Sequence, residues 1–289
     1  MKLLHFAILI SVSSVFLSCS KTEVNSDGIT ITAKTLLDVP YGPDPLQKMD
    51  IYLPASRRVD STKVLVMIHG GAWVSGDKSD FASAIDTLKA RLPDYAIFNI
   101  NYRLSTGTSN IFPTQELDVK YAVEYIYGKT SDYLVSNKFV LLGASAGGHL
   151  AMLQGYKDSI PVKPKAIVSF FGPSDLVDMY INPAGGNPFL TVALSQAVGK
   201  TLLQDPTMYI NSSPINFIRP TSPPTILLHG GLDPLVNPSQ SSTVRDRLVF
   251  FGAISQYVFY PTGGHGNWDA ATYTDAYNKI QAFLTANVK

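Results

Sequence analysis

Ser145, Asp233 and His265 follow one another in that order along the chain, each just beyond a short apolar run and each close to glycine. A serine hydroxyl is a weak nucleophile until an imidazole accepts its proton, and a carboxylate must hold that imidazole in the right tautomer. Together the three types suit acyl transfer. Ser145 sits in Gly143-Ala-Ser145-Ala-Gly147, which matches G-x-S-x-G. Chance supplies that pattern roughly once in ten chains of this length, so its context must carry the argument. Before it lies the apolar Lys138–Leu142, and after it His149-Leu-Ala-Met-Leu153 suits a helix. A strand that turns sharply into a helix would push the serine out of the sheet edge.

The elements expected around these residues set where they can meet. Eight strands are expected at Ile29–Leu37, Lys48–Leu53, Val64–Ile68, Tyr95–Tyr102, Lys138–Leu142, Lys165–Phe170, Thr225–Leu228 and Gln256–Tyr260. Apolar residues at three- and four-residue intervals predict helices over Asp80–Leu92, Thr114–Tyr127, Gly147–Tyr156, Ser239–Phe251 and Asp269–Asn287. The alternation implies a mostly parallel sheet covered by helices on both faces. The cluster Pro40-Tyr-Gly-Pro-Asp-Pro45 suits a hairpin between the first two strands. A parallel sheet gathers the carboxyl ends of its strands onto one edge, where ligands bind. Ser145 follows the fifth strand, Asp233 the seventh and His265 the eighth. His69-Gly-Gly-Ala-Trp73 follows the third. Its glycines at 70 and 71 permit a tight backbone that exposes N–H donors to a developing oxyanion.

Other residues compete for these roles. His5 lies in a leader segment, while His69 and His229 do not fit the order Ser, Asp, His. His149, one helical turn past Ser145, reads as an interior residue. For the acid, Asp175 follows the sixth strand and rivals Asp233, although Gly172-Pro-Ser-Asp175 also reads as a helix N-cap. Arg103 and Asp118 read as a buried ion pair tying the fourth strand to the next helix. Trp73 and Trp268 flank the site in sequence and are candidates either for core or for a substrate pocket, with Phe189 as a further pocket candidate. Gly71 to Lys78 superficially resembles a phosphate loop, but Asp77 interrupts the Gly-Lys pair. Neither zinc-type spacing nor a dinucleotide fingerprint occurs, and serine acyl transfer calls for no cofactor.

The chain has 289 residues, 45% hydrophobic and 16% charged, with a formal net charge of +1. That suffices for one large core and gives no electrostatic reason to expect nucleic-acid binding. Lys2 and the apolar run Leu3–Leu17 lead to Cys19, the only cysteine. The run is short for a membrane span and reads as a signal segment, residues 1–19. Its end is similar to a bacterial lipoprotein cleavage site, which implies export and a lipid anchor on Cys19 at a periplasmic or surface-facing membrane. A soluble secreted protein is the alternative. A polar linker spans 20–28 and one catalytic domain 29–289. Within it, 172–224 exceeds an ordinary crossover and reads as a lid with a helix over Leu190–Leu203.

From about Asp38 to the end the chain resembles the α/β-hydrolase fold, in particular the hormone-sensitive-lipase-like esterases. It looks closest to the branch containing bifunctional acetyl-xylan and feruloyl esterases. The resemblance rests on Met49-Asp-Ile-Tyr-Leu-Pro54, His69-Gly-Gly-Ala-Trp73, Asn101-Tyr-Arg-Leu104 with Phe112-Pro113 and Asp118, Gly143 to His149, Ser213-Pro214, and His229-Gly-Gly-Leu-Asp233. It implies oxyanion donors at the backbone N–H groups of Gly71, Ala72 and Ala146. Ala72 departs from the third glycine many members carry, yet its backbone donor survives. A serine carboxylesterase acting on short-chain or aromatic acyl esters is the expectation, with acylated carbohydrate among its candidate substrates. An amide-cleaving relative of the same fold shares every catalytic residue, and a non-catalytic binding protein is the alternative of another class.

Overall fold

Phe139-Val-Leu-Leu142 contains no polar residue, so both faces of that segment need cover. It becomes the interior strand β5 of the computed structural model, which describes residues 31–157 and 162–289. The expected signal segment, Cys19 and the linker 20–28 lie outside the described residues. The strands are β1 (Lys34–Pro40), β2 (Lys48–Leu53), β3 (Lys63–Ile68), β4 (Tyr95–Ile100), β5 (Phe139–Ala144), β6 (Ala166–Phe170), β7 (Thr225–Gly230) and β8 (Ser255–Tyr260). They form one sheet in the order β1-β2-β4-β3-β5-β6-β7-β8. β2 runs antiparallel to both β1 and β4, and all other pairs are parallel.

The helices are α1 (Ala82–Arg91), α2 (Thr114–Gly128), α3 (Thr130–Tyr133), α4 (Ala146–Tyr156), α5 (Leu176–Ile181), α6 (Pro188–Val198), α7 (Pro206–Asn211), α8 (Ser239–Phe250) and α9 (Ala270–Asn287). Strand side chains alternate between two cores. Val64, Val66, Phe139 and Leu141 pack with α2, α4 and α8, whereas Leu65, Met67, Val140 and Leu142 pack with α1 and α9. Every residue of α4 is buried, because the sheet covers one side of the helix and α2 with the insertion after β6 covers others.

Two expectations needed correction. The first strand spans Lys34–Pro40, after the non-strand residues 31–33, and so runs past the expected end at Leu37. A bulge between Leu36 and Val39, with Asp38 at φ 53° and its amide bound to Asp50 Oδ1, lets the strand continue past Leu37. In the insertion, the helix expected to reach Leu203 ends at Val198. Gly199 takes φ 78° and closes it through its N–H to Ser195 O. Asn187 caps the same helix with Pro188 in its first turn. The insertion carries α5, α6 and α7, whose Leu176, Leu194, Ala197 and Tyr209 join the core on the α4 face.

At the β5–α4 turn, the helix starts so close to β3 that a side chain has no room. A Cβ on Gly147 would stand 1.9 Å from the Ile68 carbonyl oxygen. Gly147→Ala is therefore expected to lower the melting temperature by roughly 2–10 °C, since overpacking of this kind costs about 1–3 kcal/mol. An unchanged melting temperature would show that the turn has slack.

Candidate active site

The turn from β5 into α4 forces Ser145 to φ 54° and ψ −122°, a strained backbone for a residue with a Cβ. Its amide donates to Phe170 O at 2.9 Å and its carbonyl accepts from His149 N at 3.0 Å, so β6 and α4 both hold it. His265 lies in the loop between β8 and α9. Its ring packs on Phe171 with centroids 4.5 Å apart. The next residue, Gly266, has φ 78° and its carbonyl accepts from Tyr273 OH on α9. Asp233 lies in the loop after β7, its side chain fully buried.

These three residues, distant in sequence, form one hydrogen-bonded chain. His265 Nε2 is 2.9 Å from Ser145 Oγ, and His265 Nδ1 is 2.7 Å from Asp233 Oδ2. Asp233 Oδ1 accepts from the amides of Leu235 and Val236 at 2.8 and 2.9 Å. Burial is the largest single influence on this carboxyl and pushes its pKa up. Hydrogen bonds from His229 and His265, the nearby His265 charge and the Val236 amide together outweigh it and hold the group well below the usual carboxylate range. Asp233 is therefore an acceptor only, which places the proton of a neutral His265 on Nδ1. Nε2 is then free to accept from the Ser145 hydroxyl. Such an arrangement can remove a proton from an attacking serine and return it to a leaving group.

Opposite the serine, Gly71, Ala72 and Trp73 have successive positive φ values of 101°, 52° and 63°. Only glycine fits the first position, because a Cβ there would meet Ser75 O at 2.1 Å. The Gly70 carbonyl accepts from His69 Nδ1 at 2.7 Å and from Tyr102 OH at 3.1 Å. A trans peptide points its N–H opposite to its C=O, so these interior donors turn the Gly71 amide away from themselves. Among the described residues the Gly71 and Ala72 amides have no protein acceptor. Ala146 opens α4, where first-turn amides lack intrahelical partners. Gly70 adjoins the nucleophile closely; a Cβ on it would stand 3.2 Å from Ser145 Cβ.

A cleft of about 730 Å³ opens beside this constellation. Its lining includes Gly70, Ala144 and Gly266, which adjoin the oxyanion turn, Ser145 and His265 in sequence, and its wall mixes the aromatic Phe81, Phe170, Phe171, Tyr273 and Tyr277 with the polar Asp80, Ser83, Thr87 and Arg91. Trp73 and Trp268, candidates for either core or pocket, and Phe189, a further pocket candidate, do not line this cleft. Trp73 is 2% exposed and wedged against Phe112 and His149, because its indole N–H has a buried acceptor in His149 Nδ1 at 3.2 Å. Trp268 stands behind the wall, in contact with Phe170 and Phe171, and donates to Gly264 O. Phe189 is 78% exposed on α6 and does not line this cleft. The wall residues come from β6, α9 and the turn before α1, and their helical spacing on α9 gave no sign of which face meets the site.

The rivals occupy structural positions. His149 is fully buried, and burial pushes its pKa down to about 3, against the weaker upward pull of its bond to Ser212 O. Asp175 Oδ1 accepts from the amides of Val177 and Asp178, both at 3.0 Å, and so caps α5. Arg103 makes a two-pronged pair with the fully buried Asp118, which also accepts from Gln47 Nε2 at 2.6 Å.

A family model described as BD-FAE matches residues 49–248. Esterase LipC of Mycobacterium tuberculosis is 27% identical over 242 residues, covering 78% of this chain and 58% of that protein. This chain thus spans a little over half the length of that curated relative. Among solved structures, a bifunctional GH43-CE of Bacteroides eggerthii is similar, with a TM-score of 0.73 and 26% identity over 88% of this chain and 38% of that one. A truncated carbohydrate esterase from gut microbiota shares the fold, with a TM-score of 0.72 and 24% identity over 92% of this chain and 100% of that one.

Proposed function

The chain belongs to the BD-FAE family within the α/β-hydrolase fold, and on that premise we propose that it is a serine carboxylesterase acting on short-chain or compact aromatic acyl esters. The hydrogen-bonded chain Ser145–His265–Asp233 carries the proposal. Ser145 Oγ attacks the ester carbonyl carbon while His265 Nε2 takes its proton. The carbonyl oxygen becomes an oxyanion facing the amides of Gly71, Ala72 and Ala146, each such donor contributing about 2.7–4 kcal/mol. Collapse breaks the bond to the alcohol, which leaves with the proton from His265. Water, deprotonated by the same imidazole, then releases the acid from Ser145.

The cleft supports the reading of the acyl group. Its mixed aromatic and polar wall suits a compact acyl ester, and acylated carbohydrate is in keeping with the truncated carbohydrate esterase among the solved relatives. The test is kcat/KM across a C2 to C16 ester series together with hydroxycinnamoyl esters and acetylated xylan. The expected maximum lies at C2 to C4 or at the aromatic esters. It declines over several carbons, because each fitting methylene contributes only about 1–3 kcal/mol. A maximum at C10 or longer, or turnover of amides alone, would refute this reading of the substrate.

The pH dependence follows from the same geometry. His265 must be neutral to accept the serine proton, so kcat/KM falls as pH drops. Asp233 stays ionised throughout that range, since its carboxyl is held well below the usual carboxylate range, and His149 stays neutral until about pH 3. One proton therefore governs the limb, and log kcat/KM should fall with unit slope. A two-proton slope would mean that a second group beside Ser145 must also be deprotonated.

A further inference from the structure

We propose that His229 is a positioning residue of this site, holding the Asp233 carboxylate in the orientation that His265 uses. The inference rests on the serine-esterase reading above.

His229 lies near the end of β7 and is fully buried. Its Nε2 is 2.9 Å from Val236 O and 3.3 Å from Asp233 Oδ2, while its Nδ1 is 2.7 Å from Ser241 Oγ in the first turn of α8. A carbonyl oxygen only accepts, so Nε2 carries the proton, and the Nδ1 of a neutral ring accepts from the Ser241 hydroxyl. The Nε2–H is directed to Val236 O, and the same nitrogen stands 3.3 Å from Oδ2 of the catalytic acid. Three donors bind Asp233 directly. The Leu235 and Val236 amides go to Oδ1 and the His265 N–H goes to Oδ2, with the His229 N–H group beside Oδ2 as a fourth, longer polar contact.

The arrangement closes on itself. Asp233 Oδ1 grips the Val236 amide, and His229 grips the Val236 carbonyl. The loop bearing the acid is fixed from both sides, and Ser241 fixes the tautomer that does it. Among the described residues, the ionisable group in contact with His229 is Asp233 and, through it, His265. Its in-register neighbour on β8 is Phe259, and α8 supplies the uncharged Ser241. Triad order alone excludes His229 from the role of base, and it leaves this second role invisible in the sequence.

A plain structural tie between β7 and α8 is the competing account, and the two histidine nitrogens separate them. Gln places an amide where Nε2 stood and keeps the reach to Asp233. Asn places one where Nδ1 stood, keeping the Ser241 contact and losing the acid. A donor to a carboxylate lowers its proton affinity. Without it the buried anion draws the proton on His265 more strongly, so the acid limb of kcat/KM moves to higher pH.

The experiment measures kcat and KM from pH 4 to 9, with thermal melts, for wild type, His229→Asn and His229→Gln. His229→Asn is expected to shift the acid limb up by roughly half a pH unit or more and to lower kcat with KM little changed. His229→Gln is expected to return the limb towards wild type. Equal losses at every pH with an unmoved limb, or a limb moved by Gln and not by Asn, would overturn the proposal and leave His229 a structural tie. A wild-type protein inactive on every ester would remove the esterase reading as well, whereas an active wild type with an unmoved Asn limb removes this inference alone.

Discussion

Ser145→Ala is expected to lower kcat by about 10⁶, the loss seen when a serine hydrolase is deprived of its nucleophile, while leaving KM and the fold nearly unchanged. The hydroxyl is the only atom removed. The backbone at φ 54° stays held by the Phe170 carbonyl and the His149 amide. Residual turnover would come from the oxyanion donors and from binding in the cleft. Initial rates with a short-chain p-nitrophenyl ester test this, and near-wild-type turnover would remove Ser145 from the mechanism.

The second large effect concerns the acid. Asp233→Asn is expected to lower kcat by about 10⁴, through the wrong histidine tautomer. The local geometry makes this severe. Two backbone amides already bind Oδ1, so the amide carbonyl of an asparagine takes that side and its NH₂ faces His265 Nδ1 and His229 Nε2. A donor then meets Nδ1, which drives the His265 proton to Nε2, where it can no longer accept from Ser145. Asp175→Asn changes little, within about a factor of two, because asparagine caps a helix as well as aspartate does. Side-by-side kcat values decide it, and the reverse ranking would transfer the acid to Asp175.

Most of the framework was legible because burial leaves a periodic trace. The apolar β5 is sandwiched between two cores, and α4 carries apolar residues all round because it is covered on all sides. The order of Ser145, Asp233 and His265 could be read because strand ends in a parallel sheet share one edge. Contacts between distant segments leave no such trace. Trp73 reads equally as core or pocket until Phe112 and His149 close around it. The cleft wall draws Phe81 from the turn before α1 and Tyr273 and Tyr277 from the last helix, and no pattern in the sequence joins those distant segments to Ala144 and Gly266 beside the serine and histidine. The end of α6 depended on one left-handed glycine, Gly199, inside an otherwise helical pattern. The likeness of Asp175 to an acid dissolves in the same way, since an N-cap and a catalytic carboxylate share a residue type and differ only in partners.

The central claim is that Ser145 becomes acylated, and covalent labelling tests it most directly. Wild-type protein is treated with a fluorophosphonate, digested, and the modified peptide identified by mass spectrometry. The expected result is a single adduct on Ser145, lost in Ser145→Ala and slowed in a variant lacking the His265 imidazole. An adduct on a different residue, or full ester hydrolysis that persists with Ser145 unmodified, would contradict the account.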